Sequence, residues 1–387
     1  MKTQTKSSAQ NIVKCLLITS VVFFHALMFV ANDSVDVLSN FNVLLVMFPF
    51  LMMVFFFYAG YNYTPGKRSI GQNIKRRTLQ LLIPLVITFV ISTLLIFAIR
   101  LPSANNVGDE LVKLKNSILM SLMSEPLSIM VNFHEGTVPI SFDLKLALGI
   151  LWFLYALYIC SIFFFLLVDF AIKKLSRIIS IIIALLLVAF VLGEFVGIYL
   201  PYTVQCYPVA LAMMLLAAYL KQFNFLDKKP ETKKGWIIHI SNVLVAEGII
   251  IGIGLFCYYY WGLTLVGSLP GGRFDPYLKG FDAFFAFAIG FLGTYVIHQV
   301  SRLITVVPVV SNVLDWYGRH SAYVYLAHPI CLSFIHTVIF KEQKTVVGGF
   351  QPYLYVFMTI AILVVIFLLV DYLVALIKSK KHVAEAQ

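Results

Sequence analysis

The chain has 387 residues, 60% of them hydrophobic and only 12% charged, with a formal net charge of +11. A soluble domain carries roughly 25% charged residues, so this composition, with mean hydropathy +0.91, excludes a soluble globule and indicates an all-α polytopic membrane protein. Apolar segments fill nearly the whole length, which leaves a single membrane domain over 1–387 and no soluble core. The positive charge does not point to nucleic acid: the basic residues fall in short connections between apolar runs, where topology and anionic membrane lipid explain them.

About ten spans of the ~20 residues that a bilayer crossing needs fit the pattern. They lie near 12–31, 41–62, 79–100, 144–168, 178–200, 202–220, 237–259, 277–298, 318–340 and 353–377. Placing both ends in the cytoplasm, N-in and C-in, puts most of the 29 Lys and Arg on the inner side, as the positive-inside rule requires.

The first span carries Lys14 and His25. Eleven residues at 1.5 Å rise separate them by about 16 Å, roughly half of a 30 Å hydrocarbon core, and by nearly three whole turns. With Lys14 at one interface, His25 lies near the midplane on the same helix face. An imidazole there is either used chemically or hydrogen-bonded across helices as a core residue. The second span ends in Phe55-Phe56-Phe57-Tyr58-Ala59-Gly60-Tyr61. A basic collar follows over 67–84, with Lys75, Arg76 and Arg77 ahead of Pro84. It reads either as topology-setting charge or as a clamp for phosphate oxygens, which guanidinium forks suit.

The longest hydrophilic connection, 101–143, is expected outside, with a short interfacial helix over 111–123 from the spacing of Leu111, Leu114, Ile118 and Leu122. The fourth span opens on Leu151-Trp152-Phe153-Leu154. Gly248, Gly252 and Gly254 suggest close helix approach in the seventh. Glu194, Glu247 and Asp282 are intramembrane acids, suited to ion pairs or to orienting an imidazole. In the ninth span Ser321, Tyr325 and His328 are spaced four and three apart and share one face; Pro329 removes a backbone donor beside His328 and is expected to kink the helix. The five cysteines form no C-x-x-C pair and no metal-ligand spacing, and read as core thiols.

Taken as a set, the Lys14-x10-His25 pattern, the Phe55–Tyr61 segment with its basic collar and Pro84, the Leu-Trp-Phe-Leu entry at 151–154 and the run Gly318-Arg319-His320-Ser321-Ala322-Tyr323-Val324-Tyr325-Leu326-Ala327-His328 resemble the membrane acyltransferase-3 family. The resemblance covers nearly the whole chain in order. It implies O-acyl transfer, acetyl or succinyl, from cytosolic acyl-CoA as co-substrate to a hydroxyl of a cell-surface or exported glycan at the outer face of the cell membrane. No bound cofactor or metal is implied. The family's first-span histidine maps onto His25 and its basic partner, usually arginine, onto Lys14. Its Phe-Phe-x-x-Ser-Gly segment lacks the serine here, and Gln80 stands three residues after Arg77 where an Arg-x-x-Arg pair would end. The candidate catalytic residues are His25, Lys14, His328, Ser321 and Tyr325; the candidate donor-binding residues are Arg76, Arg77, Lys75 and Trp152. The rival reading is a proton-coupled transporter with His25, His328 and Glu247 as its relay, although neither inverted repeats nor broken helices are detectable.

Overall fold

The computed structural model describes residues 2–30, 51–100, 152–192, 207–227, 232–261, 282–335 and 351–385, with isolated positions near 106–115 and at 339. Most of the expected outer loop and Glu194 lie outside the described residues. Among the described residues there is no strand, and the elements follow one another as helices. They are α1 (Lys2–Val30), α2 (Leu51–Tyr61), α3 (Ile70–Arg77), α4 (Ile83–Arg100), α5 (Trp152–Ala171), α6 (Leu175–Val191), α7 (Tyr207–Lys221), α8 (Lys233–Trp261), α9 (Asp282–Ile304), α10 (Pro308–Arg319), α11 (Ser321–Phe334) and α12 (Gln351–Glu385).

Within those residues five helical stretches are long and apolar enough to cross a membrane: Ile70–Leu95, Phe153–Ala171, Lys234–Ile253, Ala283–Ile304 and Tyr353–Tyr372. Shorter apolar helices, among them Leu51–Tyr61 and Tyr207–Lys221, pack between them. A helix satisfies its own backbone hydrogen bonds, which is what an apolar solvent demands.

α1 is the hub of one half of the bundle, packing against α9, α10, α11 and α12. Its Ile12, Val13, Leu17, Ile18, Val21 and Val22 are buried. α2 lies between α7 and α9, with Phe56, Phe57 and Tyr61 almost fully enclosed. Two glycines make these contacts possible. A Cβ on Gly318 would lie 1.8 Å from the Asn11 carbonyl oxygen of α1, and one on Gly60 would lie 2.0 Å from the Met214 carbonyl oxygen of α7. The glycines expected to allow close approach, Gly248 and Gly252, face open space instead. α8 packs against α9 and leaves that stripe uncovered, so sequence spacing alone mislocated the tight contacts. Gly318→Ala must push α10 away from α1. We expect a loss of about 1–3 kcal/mol or more, read as a lower melting temperature in detergent, whereas Gly248→Ala leaves it unchanged.

Two local breaks shape the site. The stretch Thr78–Leu82 is a π-helical turn joining α3 to α4, with the Ile83 N–H bonded to the Thr78 carbonyl. Pro84 follows one residue later; it lacks an N–H and its ring crowds the carbonyl four residues back, so a widened turn there has a local cause. The second break falls at the very start of the expected ninth span. α10 ends at Arg319, His320 sits at φ −90° and ψ 2°, and α11 starts afresh at Ser321. That backbone lies in the sparsely populated bridge region.

Candidate active site

α3 begins with a capping box, in which the Ser69 Oγ accepts from the Gln72 N–H (3.3 Å) and the Gln72 Oε1 accepts from the Ser69 N–H (3.1 Å). From that start Asn73, Arg76, Arg77 and Gln80 fall at helical spacing on one face, and all four line a cavity of about 390 Å³. Its wall also includes Lys67 and Arg68 from the α2–α3 connection, Phe55, Tyr58 and Ala59 of α2, and Lys14 of α1. Five cations therefore converge on one cavity, and no carboxylate lines it among the described residues. The connection is held in place by Tyr63, whose hydroxyl donates to Asp169 Oδ1 (2.8 Å), and by Lys221, which donates to Thr64 Oγ1 (3.2 Å). Lys75 is exposed and is not among the residues of the wall.

Lys14 is steered by α10. Its Nζ donates to Asn11 Oδ1 (3.3 Å), Asn11 Nδ2 donates to Asp315 Oδ1 (3.0 Å), and Asp315 Oδ2 accepts from Arg319 (2.7 Å). Gly318 lets the same helix meet α1 at Asn11. The Gly318-Arg319 pair thus acts as an anchor between helices and places Lys14.

Farther along α1, His25 Nδ1 lies 3.0 Å from His328 Nε2 of α11. The rings are 5.1 Å apart and within 16° of parallel, so the contact runs close to the ring planes. His328 is fully buried and His25 partly so. His328 Nδ1 lies 3.1 Å from the Val324 carbonyl oxygen. A carbonyl can only accept, so Nδ1 carries the His328 proton, and in the neutral ring Nε2 carries the lone pair. His25 must then donate from Nδ1, which puts its own lone pair on Nε2. Neutral His25 is thereby fixed in the tautomer whose Nε2 can take a proton or attack a carbonyl carbon.

Aromatic rings lead from the cavity to this dyad: Phe55 to Phe153 (5.3 Å), Phe153 to Tyr325 (5.6 Å) and Tyr325 to His328 (5.6 Å). The Tyr325 ring thus packs on Phe153 in the first turn of α5, where helix N–H groups lack helical partners. Of the residues expected at the site, the structure joins His25 with His328 and Tyr325, and separately joins Lys14 with Arg76 and Arg77. Ser321 starts α11 about 10 Å along the helix axis from His328, two turns away. Trp152 begins α5, and its side chain lies outside the described residues.

The chain matches a known family over residues 9–371, and that family is described by an acyltransferase domain. The chain belongs to the acyltransferase-3 family. No curated protein and no solved structure matches it. The protein is therefore an acyltransferase of the membrane.

Two features of this family member escaped the sequence reading. Gln80 lines the cavity beside Arg77, so the position that interrupts the arginine pair remains part of the wall. The second is a buried polar chain behind Tyr58. The Tyr58 hydroxyl lies 2.6 Å from His298 Nδ1, His298 Nε2 lies 4.0 Å from Asp227 Oδ1, and the Tyr61 hydroxyl donates to Asp227 Oδ2 (3.0 Å). An acid thus stands near a buried imidazole, Asp227 of the turn after α7, at 4.0 Å and beyond hydrogen-bonding distance. Nothing in local spacing links residues 58, 227 and 298; only the packing of α2 against α9 brings them together.

Proposed function

We propose that this protein is an O-acyltransferase of the cell membrane that moves an acetyl or succinyl group from cytosolic acyl-CoA to a hydroxyl of a cell-surface or exported glycan. His25 acts as the base or as the acyl carrier. The observation that carries the proposal is the cavity in which Lys14, Lys67, Arg68, Arg76 and Arg77 converge with no carboxylate among the described lining residues. Such a wall suits a polyanion, and acyl-CoA is an acyl donor bearing several phosphates. The cavity's volume of about 390 Å³ suits the phosphate-bearing part of that donor, whose arm then runs along the aromatic path toward His25. With the collar on the cytoplasmic side, N-in and C-in, the donor enters from the cytosol and the acceptor from outside.

A transporter with a His25, His328 and Glu247 relay fits less well. Glu247 belongs to α8, whose packing partner is α9, while His25 and His328 meet on α1 and α11.

The test is kinetic. Purified protein given acyl-CoA and a glycan acceptor should form an ester detectable by mass spectrometry, whereas a transporter forms none. Arg76→Ala and Arg77→Ala should each raise the Michaelis constant for acyl-CoA by about 10- to 100-fold, as the loss of a charge-assisted contact of about 1.5–3 kcal/mol requires. The acceptor constant should stay put, and donor binding should become less sensitive to salt. Variants that alter acceptor kinetics alone would reduce the collar to a topology signal.

A further inference from the structure

Pro329 sits immediately after His328 inside α11. In a regular helix the N–H of residue 329 would bond the carbonyl of residue 325, so proline leaves the Tyr325 carbonyl without its helical donor. That carbonyl lies one residue along from the Val324 carbonyl, which His328 Nδ1 meets at 3.1 Å. His328 therefore directs one N–H at the Val324 carbonyl, with the proline-released Tyr325 carbonyl next along the chain, and the opposite nitrogen at His25, 3.0 Å away. The place that a carboxylate fills in a serine–histidine–aspartate triad, behind the imidazole that does the chemistry, is taken here by a second imidazole backed by the Val324 carbonyl dipole, with the Tyr325 carbonyl next along the chain.

We propose that His25 and His328 form a two-histidine proton relay, with the Val324 and Tyr325 carbonyls as its terminus and Pro329 as the positioning residue that makes the second carbonyl available. This rests on the acyl-transfer reading and specifies its base route. The acceptor hydroxyl gives its proton to His25 Nε2 as its oxygen bonds to the thioester carbon. The His25 Nδ1 proton moves to His328 Nε2, so the positive charge comes to rest on the ring whose Nδ1–H faces the Val324 carbonyl. When the carbon–sulfur bond breaks, the proton returns from His328 Nε2 to His25 Nδ1, and the proton on His25 Nε2 passes to the departing thiolate. The products are the ester and the free thiol, and both rings regain their starting tautomers. Dipoles already aimed at the site of developing charge need no reorganisation during the reaction.

The relay differs from mere packing in the number of protons in flight. Turnover of the wild type in mixtures of light and heavy water should depend on deuterium fraction along a curve, reporting two moving protons. His328→Gln keeps an oxygen that can accept from His25 Nδ1 but cannot relay a proton, so its plot should be linear and its kcat at least about tenfold lower. Pro329→Ala returns an N–H to the Tyr325 carbonyl; kcat should fall about fivefold or more with the acyl-CoA Michaelis constant unchanged. Protection of each variant against thermal unfolding by acyl-CoA checks that the fold and cavity persist. A wild type with a linear plot, or a His328→Gln protein with a curved plot and full kcat, overturns the relay while leaving acyl transfer in place. An unchanged kcat in Pro329→Ala overturns the role of the proline. A wild type that transfers no acyl group brings down both the relay and the function it rests on.

Discussion

The His25→Ala protein should insert and fold while its acyl transfer falls by about 10²- to 10⁴-fold, the contribution of a positioned general base. The expected loss is large because the geometry leaves no substitute. In the variant His328 keeps Nδ1 on the Val324 carbonyl, and its released Nε2 lies a whole imidazole ring farther from the reacting atoms than His25 Nε2. Lys14, on the same face of α1, is about 16 Å away by helix rise and belongs to the cationic cavity. Alanine also deprives the buried His328 Nε2 of its donor, at a cost of about 1–3 kcal/mol, so a second variant separates chemistry from stability. His25→Asn offers an amide N–H to His328 but no basic nitrogen. It should match the wild type in melting temperature more closely than alanine does and be as inactive. Turnover of either purified variant within about tenfold of the wild type would be too small a loss for the base and would remove His25 from the chemistry.

How much of this was legible in the sequence depends on the range of the interaction. His25 stood out because a single apolar run set its depth, and Lys14 because helix rise fixed its distance; both are properties of one continuous helix, and α1 is continuous from Lys2 to Val30. Arg76 and Arg77 share a cavity wall with Asn73 and Gln80 for the same reason, a helical period that can be counted along the chain. The pairing of His25 with His328 spans 303 residues of chain, and no spacing rule predicts which intramembrane imidazoles meet. The Tyr58, His298 and Asp227 chain is hidden for that reason too. Glycines misled because the sequence shows where a backbone can approach another and not whether one does: Gly248 and Gly252 are bare, while Gly318 is pressed on Asn11. The ninth span, expected from 318, starts as a helix at Ser321, and the break at His320 before it is a backbone event that no spacing rule signals.

The last expected result is directional. In sealed vesicles of known orientation, acyl-CoA should support turnover only from the side that exposes Arg68 and Arg76, and a soluble glycan acceptor only from the other. Lys67, Arg68, Arg76 and Arg77 gather at the start of the long apolar stretch Ile70–Leu95, so the cavity they line opens at one edge of the bundle. His25 is about 16 Å from Lys14 along α1, which on the proposed topology puts it near the middle of a core about 30 Å thick. An enzyme acting on a cytosolic metabolite would place its base at the surface beside the phosphates, where burying an imidazole costs nothing. A base three turns deeper makes sense when the acceptor cannot reach the donor's side. Raising the salt on the donor side should weaken donor binding, because the cations there meet phosphate in partly exposed surroundings; salt on the acceptor side should not. Equal turnover with donor and acceptor both confined to the collar side would defeat the vectorial scheme and make His25 a base for a metabolite that enters through the cationic cavity itself.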